Sequence, residues 1–379
     1  MDVFAEGTTA MRQVPVLTLM RRLASWSRPV MSGSALAFAL WCGGTISTAQ
    51  AQMLIPLEWP SDVVELGTQD ELDRAPVVTG IALQPDGPLV AVVGDDHFVR
   101  LIERQSGRRV AKLEGHHDWI RNVAFTPDGR WLITAGNDRR ILKWNPATLG
   151  EPEELAVMDF AIAALSIDPT GRFVAVGGFS DSIHVINLAE EATVLEIDAR
   201  CGDIRAVAFS PDGARLAAGG RDGTLRIWDV LTGELTFEEK IHRRRIRDLE
   251  FLKPDGEVVT CAEDLTIRMT SLEHPEQSIS IDSSPAKVMT IEQLQGGLLA
   301  SAGSDNQIRI WNLFKSEEVG QLYGHEGSIT ALAFDGAKLY SAGYDTHLRI
   351  WRVNANFAST DSDGPRVSRE PSLGLGVDK

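Results

Sequence analysis

One kind of turn recurs along the chain at nearly constant spacing, and that period constrains the fold more than any other feature. Phe209-Ser210-Pro211-Asp212-Gly213 is its clearest copy. The turn glycines are Gly87, Gly129, Gly171, Gly213, Gly256, Gly297 and Gly336, at intervals of 42, 42, 42, 43, 41 and 39 residues. Asp-Gly favours a tight hairpin because glycine reaches the positive φ such a turn needs. Around Gly213 the unit reads as four short strands, beginning at Ile204, Leu216, Thr224 and Glu234. Val123-Ala124-Phe125, Val207-Ala208-Phe209 and Leu332-Ala333-Phe334 stay in phase with the period. Four strands in about forty residues predict a propeller blade. The expected fold class is all-β, a seven-bladed β-propeller of four-stranded antiparallel blades.

The repeats start at Val77, Ile120, Ile162, Ile204, Ile246, about Lys287 and Ile329. The last one, 329–353, holds only three strands. Asp62-Val63-Val64-Glu65-Leu66 resembles a fourth strand, as in Arg109-Val110-Ala111-Lys112-Leu113. An N-terminal strand is therefore expected to complete the last blade and close the ring, which removes open sheet edges.

Residues 1–51 read as a cleavable export signal. Arg21, Arg22 and Arg28 precede the apolar run Ser34–Trp41, and Ala49-Gln50-Ala51 has the small-residue form of a cleavage site. An uncleaved membrane anchor is the other reading of this segment, although the run is short for a bilayer. The expected organisation is a signal over 1–51, the propeller over 52–353 and a disordered tail over 354–379, rich in Ser, Asp, Gly and Pro. The expected location is periplasmic or extracellular.

The chain carries a net charge of −16. Removing residues 1–51, with four Arg against Asp2 and Glu6, takes it to −18. That excess argues against nucleic acid or an anionic membrane as a general partner. Cys201 and Cys261 are the cysteines beyond the signal, in different repeats. They read as two separate thiols, their pairing left open by sequence. No haem or zinc spacing is present, so no cofactor and no metal are expected.

The repeats resemble the WD-repeat β-propeller family over nearly all of 62–353. Gly115-His116 and Gly324-His325 look like its Gly-His element. Trp144, Trp228, Trp311 and Trp351 sit at its Trp position, with Asp229 completing a literal Trp-Asp. Asp96, Asp138, Asp222, Asp264, Asp305 and Asp345 match its turn aspartate. The resemblance implies a hydrogen-bonded set of His, Ser/Thr, Asp and Trp inside a blade. Repeat two offers His116, Thr134, Asp138 and Trp144, and repeat seven offers His325, Ser341, Asp345 and Trp351. Repeat five has His242, Thr260 and Asp264 but Thr270 at the Trp position. Repeat three departs furthest, with Ser180 and Ile186 at the Asp and Trp positions. Repetition of the set at the blade period marks it as structural, since an active site occurs once.

The resemblance also places the loops before the first strand and after the second on one top face, around the channel mouth. Thr79, Arg121, Ala163, Arg205, Arg247 and Thr330 follow the first residue of their repeats there. Arg221 and the loop Arg243-Arg244-Arg245 add to a basic island over repeats four and five, with Trp119, Phe179 and Tyr344 as aromatic neighbours. The island reads either as a solvated charge run or as a docking site for a carboxylate-rich or phosphorylated partner. The expected function is that of an exported, non-catalytic scaffold binding a protein or peptide, as a monomer or within a larger complex. A hydrolase or oxidoreductase with a site in the channel is the alternative.

Overall fold

The computed structural model describes residues 57, 59–67, 75–253 and 256–353. The expected signal, its cleavage point and the expected tail lie outside the described residues. Seven four-stranded antiparallel sheets follow one another along the chain. Their first strands are Val78–Leu83, Ile120–Phe125, Ile162–Ile167, Ile204–Phe209, Ile246–Phe251, Val288–Gln293 and Ile329–Phe334. Each of these packs beside the first strands of the two adjoining blades, so the seven form the inner ring around the axis. The first and sixth repeats begin one residue later than expected, at Val78 and Val288.

The period survives because each blade repeats the same turn chemistry. Gly129, Gly171, Gly213, Gly256, Gly297 and Gly336 all take positive φ in the first turn of their blade. Blade one differs: there Asp86, at φ 49°, takes the left-handed position and Gly87 does not. Aspartate tolerates that conformation better than most side chains.

The seventh sheet contains Ser61–Glu65 as its outermost strand, paired antiparallel with His347–Arg352. Ser61 stands opposite Trp351 and Glu65 opposite His347. Arg352 reaches Asp62 at 2.7 Å. The approach to this strand also binds blade six: the Leu57 N–H donates to the Gln321 carbonyl at 3.0 Å. Trp59 is buried with Leu298, Ile310, Leu332 and Trp351, and Leu57 packs against the same cluster. The N-terminal segment thus spans the seam between the last two blades.

Alternation along the strands buries apolar side chains between adjacent blades rather than in one central core. Trp144 packs with Val93, Val99 and Leu101 of the preceding blade. Trp228, Trp311 and Trp351 occupy the corresponding seams. Cys201 and Cys261 are free thiols, buried in two different seams. Burial pushes the Cys201 thiol up to about 12 and the Cys261 thiol well above its ordinary range, so both are unreactive by the thiolate criterion. Among the described residues no helix is long and apolar enough to cross a membrane.

Deleting residues 52–66 leaves the seventh sheet with three strands and opens the Trp59 cluster. Thermal melting is expected to fall sharply, and Trp59→Ala alone is expected to cost about 3–5 kcal/mol, as for other buried aromatics. A deletion variant that melts with the parent would contradict closure.

Candidate functional site

In all seven blades the pairing of first and second strands slips at the second residue of the first strand. Such a bulge leaves one residue outside the ladder and re-aims its side chain. The residues at the slip are Thr79, Arg121, Ala163, Arg205, Arg247, Met289 and Thr330, and all seven line one cavity of about 260 Å³. The bulge is the local device that presents a side chain from every blade to the channel mouth.

Trp119 and Tyr344 line the same cavity. They are 38% and 54% exposed, large values for aromatics, and Phe179 nearby is 49% exposed. The Arg121 guanidinium lies over the Trp119 ring at 4.7 Å, and that of Arg205 over Phe179 at 4.2 Å. Each stack is a cation–π contact that holds a charge in place while leaving part of the ring open. Arg121 Nε donates to Asn137 Oδ1 at 2.9 Å. Burial, then the like charges of Arg205 and Arg247, lower the Arg121 pKa.

The other arginines of the expected island divide into three groups. Arg245 pairs with Asp203 at 3.0 Å and Glu263 at 3.5 Å, and so ties blade five to blade four. Arg205 shares Asp203, at 2.8 Å, and Arg247 shares Glu263, at 3.3 Å. Arg243 and Arg244 are exposed in the loop and outside the cavity. Arg221 lines a separate open cleft of about 520 Å³ with Asp181, Arg200, Cys201, Gly202 and Asp222.

The repeated polar sets are internal. His116 Nδ1 lies 2.8 Å from Asp138 and Nε2 lies 2.7 Å from the Thr134 hydroxyl, which also accepts the Trp144 indole N–H at 2.8 Å. In blade seven His325 reaches Asp345 at 2.7 Å and Ser341 at 2.6 Å, and Trp351 donates to Ser341 at 2.8 Å. A histidine carrying its proton on Nδ1 satisfies every group. The hydroxyls are fully buried and their bonds used, which leaves no nucleophile facing solvent. Burial works to raise Asp138, but the hydrogen bonds from His116, His117 and Arg140 outweigh it and hold its pKa low.

Blades without the histidine compensate in a way that the sequence reading missed. In blades one, four and six the turn aspartate pairs with the arginine four residues on. Arg100 meets Asp96 at 3.0 Å, Arg226 meets Asp222 at 2.8 Å, and Arg309 meets Asp305 at 2.6 Å. The same Asp-x-x-x-Arg spacing recurs in blades five and seven, where Arg268 and Arg349 donate instead to the Ile241 and Gly324 carbonyls. Blade three dispenses with the charges: Met158, Val176 and Ile186 are buried together, and Ser180 caps the turn.

At the mouth and below it, side chains of one inner strand bond the backbone of the next. Thr79, Asn122, Ser166 and Thr330 do so with neutral groups. Blades five and six use acids instead. Asp248 accepts the Ile291 N–H at 3.0 Å, Glu250 the Gln293 N–H at 2.9 Å and Glu292 the Phe334 N–H at 3.0 Å. Burial pushes Asp248 up to about 6. Burial, then the charge of Asp248, pushes Glu250 up to about 8. Burial and Glu250 together raise Glu292 well above its ordinary range. Arg247 and Lys253 offset part of this. Among the described residues no group of three or more His, Cys, Asp or Glu has a metal-holding arrangement.

The WD domain, G-beta repeat family matches residues 71–103, 107–145, 193–229, 273–312 and 316–352. The gaps fall on most of blades three and five, which carry Ile186 and Thr270 where blades two, four, six and seven carry Trp. The chain belongs to the WD40 repeat family. Curated relatives of this WD40 chain include apoptotic protease-activating factor 1 of Danio rerio, 24% identical over 65% of the chain and 19% of that protein. A guanine nucleotide-binding protein subunit beta of Zea mays is 24% identical over 59% of the chain and 52% of that protein. Eukaryotic translation initiation factor 3 subunit I of Xenopus tropicalis is 24% identical over 68% and 86%. The chain spans about a fifth of the first of these and about half of the second.

The acidic inner seam of this WD40 propeller generates a pH prediction. The unfolded chain ionises these carboxyls in the ordinary range, near pH 4. From there up to about pH 8 the native state holds more protons, so their contribution to stability falls as pH rises. His242, whose pKa burial lowers, acts in the opposite sense, so the readout is a difference between proteins. Glu250→Gln keeps an acceptor for the Gln293 N–H and cannot ionise. Its melting temperature relative to the parent is expected to climb by several degrees from pH 5 to pH 8. A constant difference would show that Glu250 does not titrate in this window.

Proposed function

We propose that this chain is an exported, non-catalytic scaffold that docks an acidic protein or peptide on its top face. WD40 propellers are typically protein-interaction scaffolds, and two of the relatives are named as subunits. The observation that carries the docking reading is the meeting of Trp119, Tyr344, Arg121, Arg205 and Arg247 around one mouth. Exposed aromatics and arginines are the side chains from which interface hot spots are built. Arg243 and Arg244 add exposed positive charge in the loop that leads into blade five. The acidity of the rest of the chain, at −16 overall, makes this rim the locally favourable place for an acidic surface.

The docking reading predicts a two-part result. A partner retained from the producing cell's own compartment is expected to bind the Trp119→Ala, Tyr344→Ala double variant at least tenfold more weakly. Association with the parent is expected to slow as salt rises from low to physiological, because exposed charges are screened beyond about 8 Å there. Equal affinity for parent and variant would move the interface off this face.

The export reading rests on Arg21, Arg22 and Arg28, the apolar run and Ala49-Gln50-Ala51. N-terminal sequencing of protein from the producing cell is expected to begin at Gln52. A mature chain starting within the first twenty residues would contradict export by this signal.

A further inference from the structure

We propose that the channel mouth is an oxyanion subsite in which Arg121, Arg205 and Arg247 together hold one carboxylate or phosphate group of the docked segment. This rests on the docking reading and adds to it where the acidic group goes.

Three features carry the inference. First, the bulge at the head of each inner strand delivers these three guanidiniums to one cavity of about 260 Å³. That is room for a side-chain head, and too little for a folded element. Second, the guanidiniums there outnumber the carboxylates that ion-pair with them. Arg121 has a neutral hydrogen-bond partner, Asn137, and among the described residues no carboxylate lies within ion-pair distance of it. Asp203 and Glu263 are shared among Arg205, Arg245 and Arg247, so three guanidiniums share two carboxylates, while Asp118 acts on Arg121 only from beyond ion-pair distance. Asp248, the acid on the cavity wall, is occupied by the N–H groups of Leu249 and Ile291. Third, the guanidiniums are held before any ligand arrives. Arg121 is stacked on Trp119 and bonded to Asn137, and Arg205 is stacked on Phe179 and bonded to Asp203. Mutual repulsion among them is a cost that an oxyanion between them relieves, and planar guanidinium forks suit its oxygens.

The test uses the whole propeller and small probes. Inorganic phosphate and acetate are titrated calorimetrically at low ionic strength and pH 7, with sodium chloride as the ionic-strength control. At least one probe is expected to bind saturably at one site. Arg121→Gln is expected to weaken that binding at least tenfold with its melting temperature close to the parent's. Arg130→Gln, at the opposite end of the inner strand that carries Arg121, is expected to leave it unchanged. Phosphate binding without acetate binding points to a phosphorylated segment, and the reverse to Asp, Glu or a C-terminus. Heats no greater than those of sodium chloride for both probes would overturn the subsite, as would equal binding by parent and Arg121→Gln. A partner that still docks on the top face without any probe binding sinks the subsite alone. Saturable probe binding with no top-face partner sinks the docking reading and leaves the subsite.

Discussion

A ring of blades has no centre to bury, so everything depends on the seams. Each sheet has apolar residues on both faces and covers them only by packing against its neighbours. Seven seams must therefore form together, and the last can form only if the ends of the chain meet. Ser61–Glu65 meets His347–Arg352 for that reason, and Trp59 anchors the approach within the seam between blades six and seven. The free energy of closure is mostly that of water removed from apolar surface. The hydrogen-bonded ladder fixes which edge joins which.

The seams also explain why the internal polar sets vary. A turn aspartate near a seam is costly unless it is paired and hydrogen-bonded. A histidine bridging it to a buried hydroxyl meets that need in blades two and seven. An arginine four residues on meets it in blades one, four and six. Blade three removes the charge and fills the space with Met158, Val176 and Ile186. Three chemistries thus serve one geometric position.

The channel mouth follows from the same architecture. A bulge repeated seven times puts one side chain per blade in a ring, so the ring's chemistry is set by seven residues far apart in sequence. Here three are arginines on blades two, four and five. Deeper in, acids on blades five and six replace the neutral groups that staple the other seams. The channel thus runs from guanidiniums at its top to acids whose ionisation burial opposes.

The number of blades, their boundaries to within a residue and the closing strand were legible in the sequence. These rest on local turn chemistry and on a period, both of which are written in neighbouring residues. The resemblance to the WD-repeat family supplied the two complete histidine sets and implied the place of Thr79, Arg121, Ala163, Arg205, Arg247 and Thr330 at the mouth, equivalent positions in a repeat sharing a location. What those residues pair with follows from the fold. Sequence put Arg205, Arg221, Arg243, Arg244, Arg245 and Arg247 in a single island. Folding gave Arg245 to Asp203 and Glu263, left Arg243 and Arg244 in solvent, and sent Arg221 to another cleft. The acidic seam of Asp248, Glu250 and Glu292 was invisible for the same reason. A periodic pattern reports where a side chain sits in its own blade, but charge pairing and burial are set by the neighbouring blade, which only closure of the ring brings into contact.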